Sequence, residues 1–303
     1  MTASILLAVA IIPTLAVLFY VYKLDKVEPE PFRLLAKTFL FGVISTVPAI
    51  VIEFLGDFIC EGLSSSMIDY LVLEYLLLVP ITEEFCKRFF VKLAVWESKE
   101  FDYTFDAIVY CVFGSMGFAC LENILYVYQY GLSTGLLRAV TSIPGHAIFG
   151  LYMGIFLGKA KVAYADGDLK HYKYNYTKSL FIPVLLHGLY DYIVSLAGEA
   201  ESIIIYAVWI FYIIMMDVWA FREIKEASET DHAIKVLTGD DDTPDNNANV
   251  TVGNVAIDNP YAPKTVSNAP VYTTESDSTA AATTVLEPET SNTEINVDDL
   301  LPE

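Results

Sequence analysis

Basic residues are scarce in this chain, and the shortage narrows the function classes. Only 18 Lys and Arg stand against 38 Asp and Glu, giving a formal net charge of −20. No nucleic-acid partner is expected from such a balance. The acidity is itself uneven: residues 1–221 hold 21 of the acids, and the much shorter stretch 222–303 holds the other 17. Cysteine is equally sparse. Cys60, Cys86, Cys111 and Cys120 lack metal-type spacing and three lie in apolar stretches, so they read as packing residues rather than a disulfide framework. Short alternating segments, the mark of water-soluble strands, are absent. So is the zinc signature that sets two histidines and a glutamate on one helix. No internal repeat points to an inverted transporter duplication. The stretch 203–221 contains no lysine, which argues against a retinal protein.

Apolar residues make up 54% of the chain, and they fall in blocks of about 20, the length that crosses a hydrocarbon core as helix. The blocks predict an all-α, polytopic membrane bundle with spans at about 3–22, 34–54, 70–93, 105–127, 139–158, 180–197 and 203–221. The first lacks a basic residue ahead of it and reads as a retained helix rather than a signal peptide. Seventeen of the 18 basic residues lie in or beside the odd-numbered loops or after the last span; Arg138 is the exception. By the positive-inside rule the N-terminus is outside and the C-terminus cytoplasmic, and the expected location is a cell membrane. Residues 1–225 then form the membrane domain. Residues 226–303 form an acidic low-complexity cytoplasmic tail, with disorder expected from about 238 onward.

A charge in hydrocarbon costs about 2.5–3.5 kcal/mol on insertion scales, so each deep ionisable residue needs a reason. Glu53, Glu74, Asp106 and Asp217 lie close enough to span ends to reach the interface. Others do not. In VPITEEFCKRFF, Glu83 and Glu84 are adjacent, and Lys87 lies one turn beyond Glu83 on the same face. Two neighbouring carboxylates in low dielectric cannot both ionise cheaply. The fourth span carries Glu122 with Phe118 on its face. In the fifth, His146 shares a face with Ser142, Gly150, Gly154 and Gly158, small residues that let a neighbouring helix approach. In the sixth, His187 and Asp191 are one turn apart, so the acid can orient the imidazole. Pro80, Pro144 and Pro183 precede Glu83, His146 and His187 closely, and proline frees carbonyls where a helix lines a polar cavity.

Four successive spans thus point ionisable groups at one buried site, in the outer half of the membrane. The residue types support hydrolysis in two ways. A glutamate activates water while histidines stabilise the oxyanion, or a zinc ion held by candidates His146, His187 and Glu122 does so. The missing zinc signature favours the first, with no cofactor required. A non-enzymatic proton-coupled carrier or immunity-type scaffold is the alternative.

These motifs resemble those of the PrsW family of membrane peptidases. EEFCK (83–87) is similar to its EExxK motif, FACLE (118–122) to FxxxE, and His146 with HGLYD (187–191) to its paired histidine motifs. The related CAAX prenyl endopeptidase and bacteriocin-immunity group has FxxxH where this chain has Phe118 to Glu122, which places the resemblance on the PrsW branch. The resemblance covers about residues 70–200. It implies that Glu83 and Glu84 activate water, that Glu122, His146, His187 and Asp191 complete the site, and that the substrate is a membrane-anchored protein cut as in first-site cleavage of anti-sigma factors. Oligomeric state is left open.

Overall fold

The computed structural model describes residues 3–234, and these are almost entirely helical. Helix occupies all seven stretches expected to span: α1 (Ala3–Leu24), α2 (Phe32–Leu63), α3 to α4 (Met67–Leu71 and Val79–Val95, joined by a π-helical segment, Val72–Leu78), α5 (Asp106–Tyr130), α6 and α7 (Leu132–Val140 and Ser142–Ala165), α8 (Leu169–Glu199) and α9 (Ile203–Glu229). Six of the seven are long and apolar enough to cross a membrane. The third differs because it carries Glu83, Glu84, Lys87 and Arg88 and because its winding changes midway. That change has a local cause. Pro80 has no N–H to give to the carbonyl of Leu76, so the regular ladder cannot run through this point, and the segment just before it is wound as a π-helix.

The bundle is arranged around α5, whose spanning window is 78% buried, against 22% for α1, α2 and α9. Those three outer helices turn large apolar side chains outward, among them Phe19, Phe54 and Phe211, as helices facing lipid do. Close packing around α5 depends on small residues. A Cβ at Gly154 of α7 would stand 2.5 Å from the Cα of Ile108 on α5. The stripe read from the sequence is therefore the seam between these two helices, and it fixes the register that brings His146 over α5.

Two boundaries differ from the sequence expectation. Helix α2 continues to Leu63, past the expected span end at 54, so Glu53 lies well inside a helix. At the other end, packed chain continues beyond residue 225. Asp231 Oδ1 accepts from the Phe105 N–H at 2.8 Å, and Ile234, 5% exposed, donates its N–H to the Asp102 carbonyl. The remainder of the expected tail, 235–303, lies outside the described residues.

Candidate active site

The antiparallel helix order brings together, at one end of the bundle, the latter part of α2, the segment leading into α4, the latter part of α5, α6, the first turns of α7, the latter part of α8 and Trp209 of α9. Between them lies a cavity of about 600 Å³. Glu83, Glu122, His146, His187 and Asp191 line it. Glu84 is fully buried behind them.

Lys87 is the centre of the arrangement. Its side chain is fully buried, and its ammonium donates to Glu83 Oε2 at 2.9 Å and to Glu84 Oε1 at 2.8 Å. It also lies 3.0 Å from His146 Nδ1 and 4.3 Å from the centre of the Phe118 ring. The helical spacing alone delivers the two carboxylates, because residues three and four apart share a face. An ammonium has only donors, so His146 Nδ1 must accept. The proton of His146 then sits on Nε2, which faces Glu122 Oε2 at 2.8 Å. Glu122 in turn lies 2.9 Å from an Arg138 guanidinium nitrogen. Arg138 is anchored by donating to Asn123 Oδ1, and Asn123 donates to the carbonyl of Ala10.

On the other side, His187 Nδ1 is 3.0 Å from Glu84 Oε1 and its Nε2 is 3.1 Å from Asp191 Oδ2. The ring stacks on Phe149 with centroids 4.7 Å apart. Helix α8 gets this close because of Gly188: a Cβ there would sit 2.6 Å from the Leu76 carbonyl oxygen, the one freed by Pro80. The proline in α4 and the glycine in α8 together set His187 beside Glu84.

All six residues singled out in the sequence thus belong to one connected cluster, with Lys87 and Arg138 as its two cations. Three further residues belong with this cluster. Glu53 and Glu74 line the same cavity: α2 runs on past Glu53 to Leu63, and Glu74 lies in the π-helical segment at 72–78, so neither stands at a helix end. Arg138, alone among the basic residues on its side of the membrane, was itself a signal, because a lone cation there calls for an acidic partner.

The metal question turns on the same geometry. Among the described residues, the group that converges closely enough to hold an ion is Glu83, Glu84 and His146, within 4.8 Å of one another. It is not the His146, His187 and Glu122 set suggested by the sequence. The reason is that His146 Nε2 is turned to Glu122, and His187 Nε2 to Asp191. The donor types suit zinc. Yet Lys87 already contacts all three residues, so a positive charge built into the chain holds the focus, and a metal does not fit beside it.

Comparison with known proteins shows the family. The profile of the family described as PrsW family intramembrane metalloprotease matches residues 30–218. Protease PrsW of Geobacillus kaustophilus is 35% identical over 226 residues, covering 73% of this chain and 92% of the relative. The proteins of the same name from Oceanobacillus iheyensis and Bacillus subtilis are 33% and 32% identical, covering 74% and 73% of this chain and 96% and 95% of theirs. No solved structure gives a significant match. A buried carboxylate–lysine–histidine cluster in an all-helical membrane bundle, with profile and relatives in agreement, makes this chain a peptidase that belongs to the PrsW family of intramembrane proteases.

Proposed function

We propose that the chain is an endopeptidase cutting a membrane-anchored protein in the outer half of the bilayer, with Glu83 as the base that activates water. The observation that carries this reading is the unequal setting of the two adjacent glutamates. Glu83 reaches the cavity wall, whereas Glu84 is sealed behind it and accepts from both Lys87 and His187 Nδ1. Only Glu83 can meet a water and a substrate carbonyl together. Glu84 is a positioning residue that fixes Lys87 and His187.

In this scheme Glu83 takes a proton from water as the oxygen attacks the scissile carbonyl, and returns it to the departing amine. The ring nitrogens of both histidines are already taken up, His146 by Lys87 and Glu122 and His187 by Glu84 and Asp191, so the histidines support the site by position and the cations Lys87 and Arg138 counter the charge on the oxyanion. Glu122 and Asp191 orient the two rings, as carboxylates beside imidazoles do. Lys87 supplies the fixed positive charge, so no step passes through a metal. The outer location follows from the cavity lying at the bundle end opposite the lysine-rich loops.

The test uses the full-length protein in liposomes with a single-span reporter. Glu83→Gln is expected to lower the cleavage rate by about 10²–10⁴-fold, the usual contribution of a general base. Cleavage at the normal rate by both Glu83→Gln and Glu84→Gln would remove the assignment.

A further inference from the structure

Toward the lysine-rich end of the bundle, the last turns of α4 and the early part of α8 enclose a second cavity of about 380 Å³. Two cations line it, Arg88 and Lys92, one turn apart on α4. Neither forms an ion pair among the described residues, although Arg88 is only 8% exposed. Its Nη1 donates to the Tyr176 carbonyl at 2.7 Å and to Ser179 Oγ at 3.3 Å, and both acceptors are neutral. The two charges share the ring of Tyr176, at 4.4 Å from the Arg88 guanidinium carbon and 4.8 Å from the Lys92 ammonium. That ammonium also lies 5.0 Å from the ring of Trp96. Glu97, the acid among the lining residues, is exposed and pairs with neither cation.

A buried cation is costly unless an anion meets it, and an aromatic face offsets only part of that cost. The C-terminal turn of α4 favours Lys92, but Arg88 lies about two turns short of the helix end, beyond the reach of that effect. The charge of Arg88 is therefore the least compensated, and a guanidinium fork is suited to a phosphate. The same wall also faces lipid. Phe85, Phe89 and Leu93 follow one another at one-turn intervals and are 48%, 53% and 61% exposed, so the cavity opens beside an apolar ridge rather than into water alone. Trp96 and Tyr176 are ring types that gather at headgroup level.

We propose that Arg88 and Lys92 bind the phosphate of an anionic phospholipid, whose acyl chain lies against Phe85 and Phe89. The charge bias of the loops puts this site in the cytoplasmic leaflet, where anionic lipids are found. Arg88 directly follows Lys87, so the lipid holds the helix that carries Glu83 and Glu84. The site stands independently of the endopeptidase reading, and its test does not use cleavage.

Native mass spectrometry of the full-length protein in detergent, titrated with phosphatidylglycerol or with phosphatidylcholine of the same chains, measures the first lipid bound. The wild type is expected to bind phosphatidylglycerol about tenfold more tightly, equivalent to roughly 1.4 kcal/mol. The double variant Arg88→Gln with Lys92→Gln should bind both lipids alike, with the phosphatidylcholine affinity unchanged. A control, Lys170→Gln with Lys173→Gln, removes two exposed cations at the same end of the bundle and should keep the preference. Equal binding by the wild type, or a preference that survives in the double variant or vanishes in the control, overturns the site. Glycerophosphate has the phosphate without acyl chains and should not displace the lipid; displacement at millimolar concentration would make this a site for soluble phosphates and overturn the lipid assignment. If the double variant does not fold, Lys92→Gln alone is read by the same ratio, which it should lower.

Discussion

Lys87 is the residue on which the site turns, because it neutralises two glutamates and fixes the tautomer of His146 at once. Removing one partner of a buried charge cluster is strongly destabilising, by about 3–5 kcal/mol, since the other charges are left uncompensated. Lys87→Met should therefore lose activity and lower the unfolding temperature together. Lys87→Ala makes a sharper test. With the ammonium gone, Glu83, Glu84 and His146 are left as a three-donor set of zinc-binding type. The purified variant should bind added zinc, and the wild type should not retain it through gel filtration. Zinc retained by the wild type at about one ion per chain, with activity lost on chelation, would refute the view that lysine takes the place of a metal here.

Elements matter here through their contacts as much as their residues. The register of α8 against the chain leading into α4 is set by Gly188 lying against the Leu76 carbonyl. In Gly188→Val the added side chain meets backbone, which cannot give way, so α8 must move outward. Overpacking of this kind costs about 1–3 kcal/mol, and a displacement of about 1 Å in a catalytic group can cost roughly 10²-fold in rate. Gly188→Val should still insert and fold, yet cleave at least about tenfold more slowly. Normal activity would mean that the His187–Glu84 contact is not needed.

Glu83, Glu84, Glu122, His146, His187 and Asp191 were legible because a charge deep in an apolar run has few structural excuses, and helical spacing alone predicted the Lys87–Glu83 contact. Glu53 and Glu74 were not legible. Glu53 lies within a helix that runs past the expected span end, and Glu74 within a local π winding; hydropathy marks neither, since it blurs span ends by several residues and is blind to the hydrogen-bond pattern. The turn at Gly131, with φ of 86°, falls in the loop expected between the fourth and fifth spans, whereas the break between α6 and α7 at Thr141 lies inside the expected fifth span and has no mark in hydropathy. They carry Arg138 back to Glu122.

At the scale of the molecule, ionisable groups gather at both ends of the bundle, and the end opposite the cavity has a pH response of its own. Asp25 and Glu30 lie in the loop joining α1 to α2, both 4% exposed. Burial pushes Asp25 up to about 6, with Asp231 and Glu28 adding repulsion while the Glu30 N–H opposes it. Burial pushes Glu30 up to about 7, opposed by its side-chain hydrogen bonds with Tyr110 and Asp106 and reinforced by the nearby charges of Asp25 and Glu100. A carboxyl whose folded value lies above its unfolded one binds its proton more tightly in the native state. Its stabilising contribution is complete below about pH 4 and is lost as pH rises through 6 and 7. As far as these two groups govern it, the unfolding temperature should therefore fall between pH 5.5 and pH 8, where each 1 kcal/mol corresponds to roughly 2–4 °C in a chain of this size. Glu30→Gln keeps an acceptor for Tyr110 and removes the charge, so it should raise the unfolding temperature at pH 8 and flatten the slope. Thermal unfolding of both proteins across that range decides the matter: an unchanged slope in Glu30→Gln would show that this cluster is not what the pH acts upon.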